Sequence, residues 1–334
     1  MGRVLVTRHF PAGGLEPLVA GGHETVVRGD DHPYTTADLA AMAPEFDGIL
    51  CHLTDRVDAS VLEAGAAGLL RVVGNAAVGY DNVDVAAAAR VGVAVCHTPG
   101  VSDRSTADLA FLLVLAATRL ASDAERDLRT GRWQGWGFTD HLARDVHGGV
   151  LGLVGYGRIA RQVARRAEGF DMDVVHCTRT PTGVPGWTAC LDDLLSTADV
   201  VSVHVPLSPA TRHLVGRRQL ALMKPTAVLV NTSRGPVVDE DALVDALEAG
   251  SLFAAGLDVY DGEPAVNPRL LAAPGTVLLP HIGSATTDTR TRMARLAAQG
   301  VCDVLDGRVP PNLVTVPTTP AAPLTHPPST VSVT

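Results

Sequence analysis

Gly148-Gly149-Val150-Leu151-Gly152-Leu153-Val154-Gly155-Tyr156-Gly157-Arg158-Ile159-Ala160 is the stretch from which the fold can be read. The apolar run 150–154 suits a buried strand, and 158–169 suits the helix that follows it. Between them stands G-x-G-x-x-A, at Gly155, Gly157 and Ala160. Gly155 permits a tight turn, Gly157 lets the backbone approach a pyrophosphate, and Ala160 keeps helix and strand close. The helix N-terminus offers free N–H groups and positive potential to phosphate. A glycine-rich turn is often only a turn; the flanking strand and helix raise this one to a dinucleotide site. The next strand ends Cys177-Thr178-Arg179-Thr180, with no acid to hold a ribose 2′-hydroxyl. Thr178 leaves room for a 2′-phosphate and Arg179 can bind it, so NADPH is favoured over NADH. A solvated arginine without a role is the plainer alternative.

The same rhythm runs outward in both directions. Strand-like runs at 4–7, 48–52, 70–74 and 93–97 alternate with helical stretches at 36–43, 59–67 and 83–90. A second series has strands at 150–154, 173–177, 200–203, 227–231, 254–259 and 277–279, with helices at 158–169, 191–196, 219–223 and 240–250. Both halves read as α/β, doubly wound parallel sheets covered on two faces. Longer helices at 106–119, led in by Ser102, Asp103 and Ser105, and at 286–306 connect them. Residues 317–334, rich in Pro, Thr and Ser without apolar periodicity, are expected to be a disordered tail.

At 334 residues the chain is long enough for two domains. A formal net charge of −9 argues against a nucleic-acid surface. The apolar runs are too short to span a bilayer, and residues 1–6 read as a strand rather than a signal peptide. Five scattered cysteines without a C-x-x-C pair point to reduced thiols in the cytoplasm, and no metal site is expected. Lys224 is the only lysine; arginine carries the other positive charge.

Three further segments follow strands: Asn231-Thr232-Ser233-Arg234-Gly235, Gly256-Leu257-Asp258-Val259-Tyr260-Asp261-Gly262-Glu263, and Pro280-His281-Ile282-Gly283-Ser284-Ala285. Reducing a 2-oxo acid needs a cation to fix the carboxylate and polarise the carbonyl. It needs an acid to protonate the developing alkoxide, and a carboxylate to orient that acid. Arg234, His281 and Glu263 supply one of each. Singly each has a bland reading, as a surface charge, a packing residue and a loop carboxylate; together they make a catalytic constellation.

With Val78-Gly79-Tyr80-Asp81-Asn82-Val83-Asp84 added, these motifs resemble the D-isomer-specific 2-hydroxyacid dehydrogenases over residues 1–316. The segments 50–58 and 131–136 carry a closer likeness to glyoxylate/hydroxypyruvate reductases. The resemblance implies a substrate domain of residues 1–101 plus 285–316, flavodoxin-like, with a Rossmann cofactor domain inserted at 102–284. It implies Arg234 as substrate ligand, Glu263 as support and His281 as proton donor. Val78 and Gly79 would hold the substrate carboxylate, with Ser284 and His52 also on the substrate side. Gly155, Gly157, Arg158 and Ile159 would meet the pyrophosphate; Thr106, Pro206, Thr232, Asp258 and Gly283 would line the rest of the cofactor. It implies a homodimer built through the region 110–148, and neither a nucleic acid nor a membrane as partner. His52 departs from the apolar residue common in such reductases. A phosphite or phosphonate-type oxidation on the same fold is the alternative, and a nucleotide-sensing, corepressor-like binding protein a third reading.

Overall fold

A computed structural model describes residues 1–30 and 32–315; the tail expected at 317–334 lies outside the described residues. The chain divides into two compact units, residues 1–102 with the described residues from 284 onward, and residues 103–283.

The first unit carries β1 (Arg3–Val6), β2 (Glu24–Val27), β3 (Gly48–Cys51), β4 (Val72–Asn75) and β5 (Ala94–Cys96). They form one parallel sheet in the order β2-β1-β3-β4-β5. Helices α1 (Glu16–Ala20), α2 (Thr36–Met42), α3 (Ala59–Ala66) and α4 (Val85–Val91) belong to it, with the chain's last helix, α12 (Thr287–Leu305). Side chains alternate across a strand, and here both faces are dry. Leu5, Ile49 and Val73 pack in one core with Leu39, Val61 and Leu62, whereas Val4, Val6 and Val72 pack in another with Ala297, Ala298 and Val301 of α12.

The second unit holds α5 (Asp103–Thr118), α6 (Ala121–Arg129), α7 (Arg158–Ala167), α8 (Leu191–Thr197), α9 (Arg217–Leu220), α10 (Glu240–Glu248) and α11 (Pro268–Ala272). Its strands are β6 (Val150–Val154), β7 (Asp173–Cys177), β8 (Trp187–Thr188), β9 (Val200–Val203), β10 (Val228–Asn231), β11 (Ala254–Leu257) and β12 (Thr276–Leu278). They lie parallel in the order β12-β11-β10-β9-β6-β7-β8. The order reverses between β6 and β9, and such a switch point opens a crevice beyond the carboxyl ends of the strands. At the opposite ends, Lys224 Nζ donates to Asp199 Oδ1 at 2.7 Å, and Asp199 Oδ2 accepts from Val150 N at 2.9 Å. No single described helix is long and apolar enough to cross a membrane.

Several elements differ from the sequence expectation. α5 begins at Asp103, so Asp103 and Ser105 are inside the helix rather than leading into it; an acid in the first turn suits the helix dipole. α9 spans Arg217–Leu220 rather than 219–223, because Gly216 caps it and Gln219 Oε1 accepts from Gly216 N at 3.4 Å. The edge strands β2 and β8 and the helices α1, α6 and α11 were not anticipated. β2 buries neither face fully, and α6 buries no residue, so neither leaves an apolar period to read.

Central strands carry glycines where a helix crosses closely. A Cβ on Gly74 would stand 2.6 Å from Val301 Cγ2 and 3.1 Å from Ala297 O of α12. One on Gly256 would meet Leu113 Cβ of α5 at 2.9 Å. Gly74→Val therefore overpacks the first unit and should cost about 1–3 kcal/mol. Urea denaturation measures it; an unchanged midpoint would show that α12 can withdraw without loss.

Candidate active site

The cofactor motif occupies the switch point. Gly155 adopts φ +92°, and a Cβ there would stand 2.9 Å from His204 O. Gly155 N donates to Cys177 O at 2.9 Å, and His204 N to Val154 O at 2.8 Å, so the turn is tied to its surroundings on both sides. Gly157 caps α7 and has open space where a side chain would project. Arg158 is exposed, Ile159 half-buried and Ala160 fully buried. At the end of β7 the Thr178 hydroxyl donates to Thr180 O at 2.7 Å and accepts from Trp187 Nε1 at 3.0 Å, with Arg179 exposed beside it. Pro206, after β9, is exposed, and its carbonyl accepts from Thr211 Oγ1 at 2.7 Å.

Thr232 Oγ1 is buried and has no hydrogen-bond partner among the described residues. An orphaned hydroxyl, an open glycine cap and a helix N-terminus, whose first amides have no acceptor within the helix, fit a nicotinamide dinucleotide.

The three segments singled out for chemistry follow β10, β11 and β12. After β10, buried Asn231 accepts from Ser233 N at 3.0 Å and Ser233 Oγ at 2.8 Å, and donates to Arg234 O at 2.9 Å. This local turn presents Arg234. A Cβ on Gly235 would fall 1.8 Å from the Tyr260 carbonyl carbon, so only glycine lets the Arg234 turn lie against the loop after β11. Tyr260 is buried and its hydroxyl donates to Leu279 O at 2.9 Å, fastening that loop to the one after β12. Tyr260 N donates to Glu263 Oε1 at 2.8 Å, and Glu263 Oε2 meets His281 Nδ1 at 2.7 Å. Burial works to raise the Glu263 carboxyl, but the His281 hydrogen bond and charge, the Tyr260 amide and Arg234 outweigh it and hold the carboxyl below the usual glutamate range. The neighbouring Asp261 N donates to Glu240 Oε1 at 2.7 Å.

His281 itself has φ +54°, a left-handed backbone uncommon outside glycine and asparagine. Asp258 explains how it is held. Only 1% exposed, Asp258 accepts from Ile282 N at 2.7 Å and from Gly283 N at 2.8 Å. Gly283 is wedged against this carboxylate and Thr106, its virtual Cβ 3.2 Å from Asp258 Oδ2 and 3.3 Å from Thr106 Cγ2. Burial raises the Asp258 carboxyl above its ordinary value, against the two amides and the His281 charge. Asp258 was expected to line the cofactor; its contact with the His281 turn was not foreseen. Asn231, Gly235 and Tyr260 were also missed. Asn231-x-Ser233 carried a readable turn signal; Tyr260 and Gly235 carried none, because their partners are remote in sequence.

The remaining candidates lie in the other unit. His52 N donates to Asp55 Oδ2 at 2.9 Å, and the His52 ring packs edge-on to Phe10 at 4.5 Å. Gly79 O accepts from Asn75 Nδ2 at 2.9 Å, and Val78 O contacts His97 Nδ1 at 2.9 Å, which fixes those peptide planes. Ser284 O accepts from Thr286 N at 2.8 Å.

Asp258→Ala strands two amides, and each buried orphan costs about 1–3 kcal/mol. A clear drop in melting temperature is expected, with Asp258→Asn falling less because one acceptor survives. A Asp258→Ala protein as stable as the parent would show that the turn holds itself.

The family model for the NAD-binding domain of the D-isomer-specific 2-hydroxyacid dehydrogenases matches residues 111–283. A glyoxylate reductase of Korarchaeum cryptofilum is 42% identical over 321 residues, covering 93% of this chain and 95% of its own. That of Thermococcus onnurineus is 40% identical over 321 residues, with the same coverage of 93% and 95%. Among solved structures, the NADPH-dependent glyoxylate/hydroxypyruvate reductase of Sinorhizobium meliloti in complex with NADP and malonate superposes with a TM-score of 0.81 at 34% identity, over 93% of this chain and 96% of that one. The motif at the switch point, the strand order and these matches agree, and the chain belongs to the D-isomer-specific 2-hydroxyacid dehydrogenases, NAD(P)-dependent oxidoreductases working between 2-oxo and D-2-hydroxy acids.

Proposed function

We propose that the chain is an NADPH-preferring reductase of glyoxylate or hydroxypyruvate, with His281 as the proton donor. The observation that carries this reading is the 2.7 Å contact between His281 Nδ1 and Glu263 Oε2, on the loops after β12 and β11. Nicotinamide, when bound, supplies the hydride. With Nδ1 engaged by Glu263, the other ring nitrogen, Nε2, is left to carry the mobile proton. Protonated His281 gives that proton to the oxygen of the substrate carbonyl as negative charge develops there, and takes it back in oxidation. Arg234 binds the substrate carboxylate and polarises the carbonyl. Val78, Gly79, Ser284 and His52 are assigned to substrate by likeness to the family. Gly155, Gly157, Arg158, Ile159, Thr106, Pro206, Thr232, Asp258 and Gly283 are assigned to the cofactor in the same way. The NADPH preference rests on Thr178 and Arg179 at the end of β7, and is supported by the Sinorhizobium relative's own cofactor.

Glu263, held below the usual glutamate range, stays ionised as pH falls, so the imidazolium keeps its partner into acid. Reduction, which consumes a proton, should weaken as pH rises; oxidation, which releases one, should weaken as pH falls. His281→Ala should lower kcat about 10²–10⁴-fold. Glu263→Gln should move the reduction profile toward lower pH. These are read from kcat/KM against pH, with a panel of glyoxylate, hydroxypyruvate, phosphite and phosphonopyruvate. Near-normal turnover by His281→Ala removes it from the mechanism. Phosphite oxidation outrunning every 2-hydroxy acid overturns the substrate assignment, and no turnover of any of them favours a binding protein.

The working form is proposed as a cytoplasmic homodimer. All five cysteines are free, which suits a reducing compartment. Trp136 and Phe138 are 80% and 84% exposed and meet edge to face at 5.8 Å, with Leu128, Trp133 and Leu142 also exposed nearby in sequence. These exposed apolar side chains support an interface there. Trp136→Ser with Phe138→Ser should convert the sedimenting dimer to a monomer, and an unchanged sedimentation coefficient would place the interface elsewhere.

A further inference from the structure

The end of β7 faces a second cation that no part of the cofactor reading has used. β6 and β7 pair directly, with Val154 opposite Cys177. His176 and Thr178 are two residues apart on one extended run, so they project to the same face. On that face the buried His176 ring stacks on Tyr156, with centroids 3.8 Å apart and planes at 21°. Tyr156 is the residue between Gly155 and Gly157, at the mouth of the cofactor turn. The Arg161 guanidinium carbon, one turn into α7, stands over the Tyr156 ring, 5.6 Å from its centroid. Its charge is felt at His176, which burial first and Arg161 second hold below the usual histidine value.

Arg161 is exposed and forms no ion pair among the described residues, whereas Arg166 on the same helix is paired with Asp108. The turn after β7, residues 178–183, holds no carboxylate. Thr178 is pinned by Trp187 Nε1 at 3.0 Å, and His176 Nε2 contacts Thr182 Oγ1 at 2.7 Å. A flanking arginine after β7 and a second arginine on α7 make a receptor for a dianion on the ribose.

We propose that Arg161 is the second arginine for the cofactor 2′-phosphate, closing with Arg179 on the phosphate from the α7 side while Thr178 lies beneath it. This rests on the NADPH reading above and adds to it a specificity residue outside the β7 turn. A phosphate shared between two guanidinium groups is held by charge-assisted hydrogen bonds that a 2′-hydroxyl cannot replace.

The test is calorimetric binding of adenosine 2′,5′-bisphosphate and of 5′-AMP to the full chain without cofactor. Arg161→Gln should weaken the bisphosphate about ten- to a hundredfold, the range for one charge-assisted hydrogen bond. It should leave 5′-AMP within about twofold, and Arg161→Lys should recover much of the loss, since it restores the charge without the fork. A parent that binds the two ligands equally sinks the NADPH reading, and this proposal with it. A parent that prefers the bisphosphate, loses the preference in Arg179→Gln and keeps it in Arg161→Gln leaves the NADPH reading standing and overturns the role of Arg161. Equal weakening of both ligands by Arg161→Gln also overturns it, because the side chain then supports the fold or the adenosine rather than the 2′-phosphate.

Discussion

Asp258 receives the backbone amides of Ile282 and Gly283 on its two oxygens, and the position of His281 follows from that grip. A buried carboxylate is costly unless its lone pairs are met, and here the donors belong to the turn that must be held. The turn then keeps a histidine in a left-handed conformation that isolated chains rarely choose. Asp258 N in its turn donates to Asn231 O at 3.0 Å, so the anchor is tied to the neighbouring strand end that carries Arg234. Three loops from three adjacent strands thus share one polar scaffold.

The scaffold depends equally on absence of bulk. Gly235 lets the Arg234 turn touch the backbone at Tyr260, and the Tyr260 hydroxyl reaches Leu279 O before the chain arrives at His281. Arg234, Glu263 and His281 are set on different loops, yet each loop's freedom is removed by a neighbour. Support of this kind holds Glu263 and His281 within hydrogen-bond reach of each other.

Much of this was legible in the sequence, for identifiable reasons. Strands buried on both faces read as continuous apolar runs, so the central strands of both sheets stood out. Glycine-motif chemistry is local, and so was the choice of Arg234, Glu263 and His281 by residue type after successive strands. The edge strand β2 and helix α6, in which no residue is fully buried, left no apolar period to detect. Asp258 could be noticed but its task could not, because both of its partners lie more than twenty positions along the chain. Arg161 sits in a helix whose arginines look alike in sequence; only its place over the Tyr156 ring, against which His176 stacks, sets it apart.

The single lysine has a chemical meaning for a protein that handles 2-oxo acids. Reactive carbonyls condense with unprotonated amines to give imines, and an aldehyde acid does so readily. Lys224 is the chain's only side-chain amine, and it is engaged by Asp199 near the amino-terminal ends of β6 and β9, away from the strand ends that carry Arg234 and His281. The cation proposed for the substrate, Arg234, is a guanidinium, which stays protonated and does not add to a carbonyl. A chain so composed offers a 2-oxo acid one side-chain amine, and that amine is ion-paired.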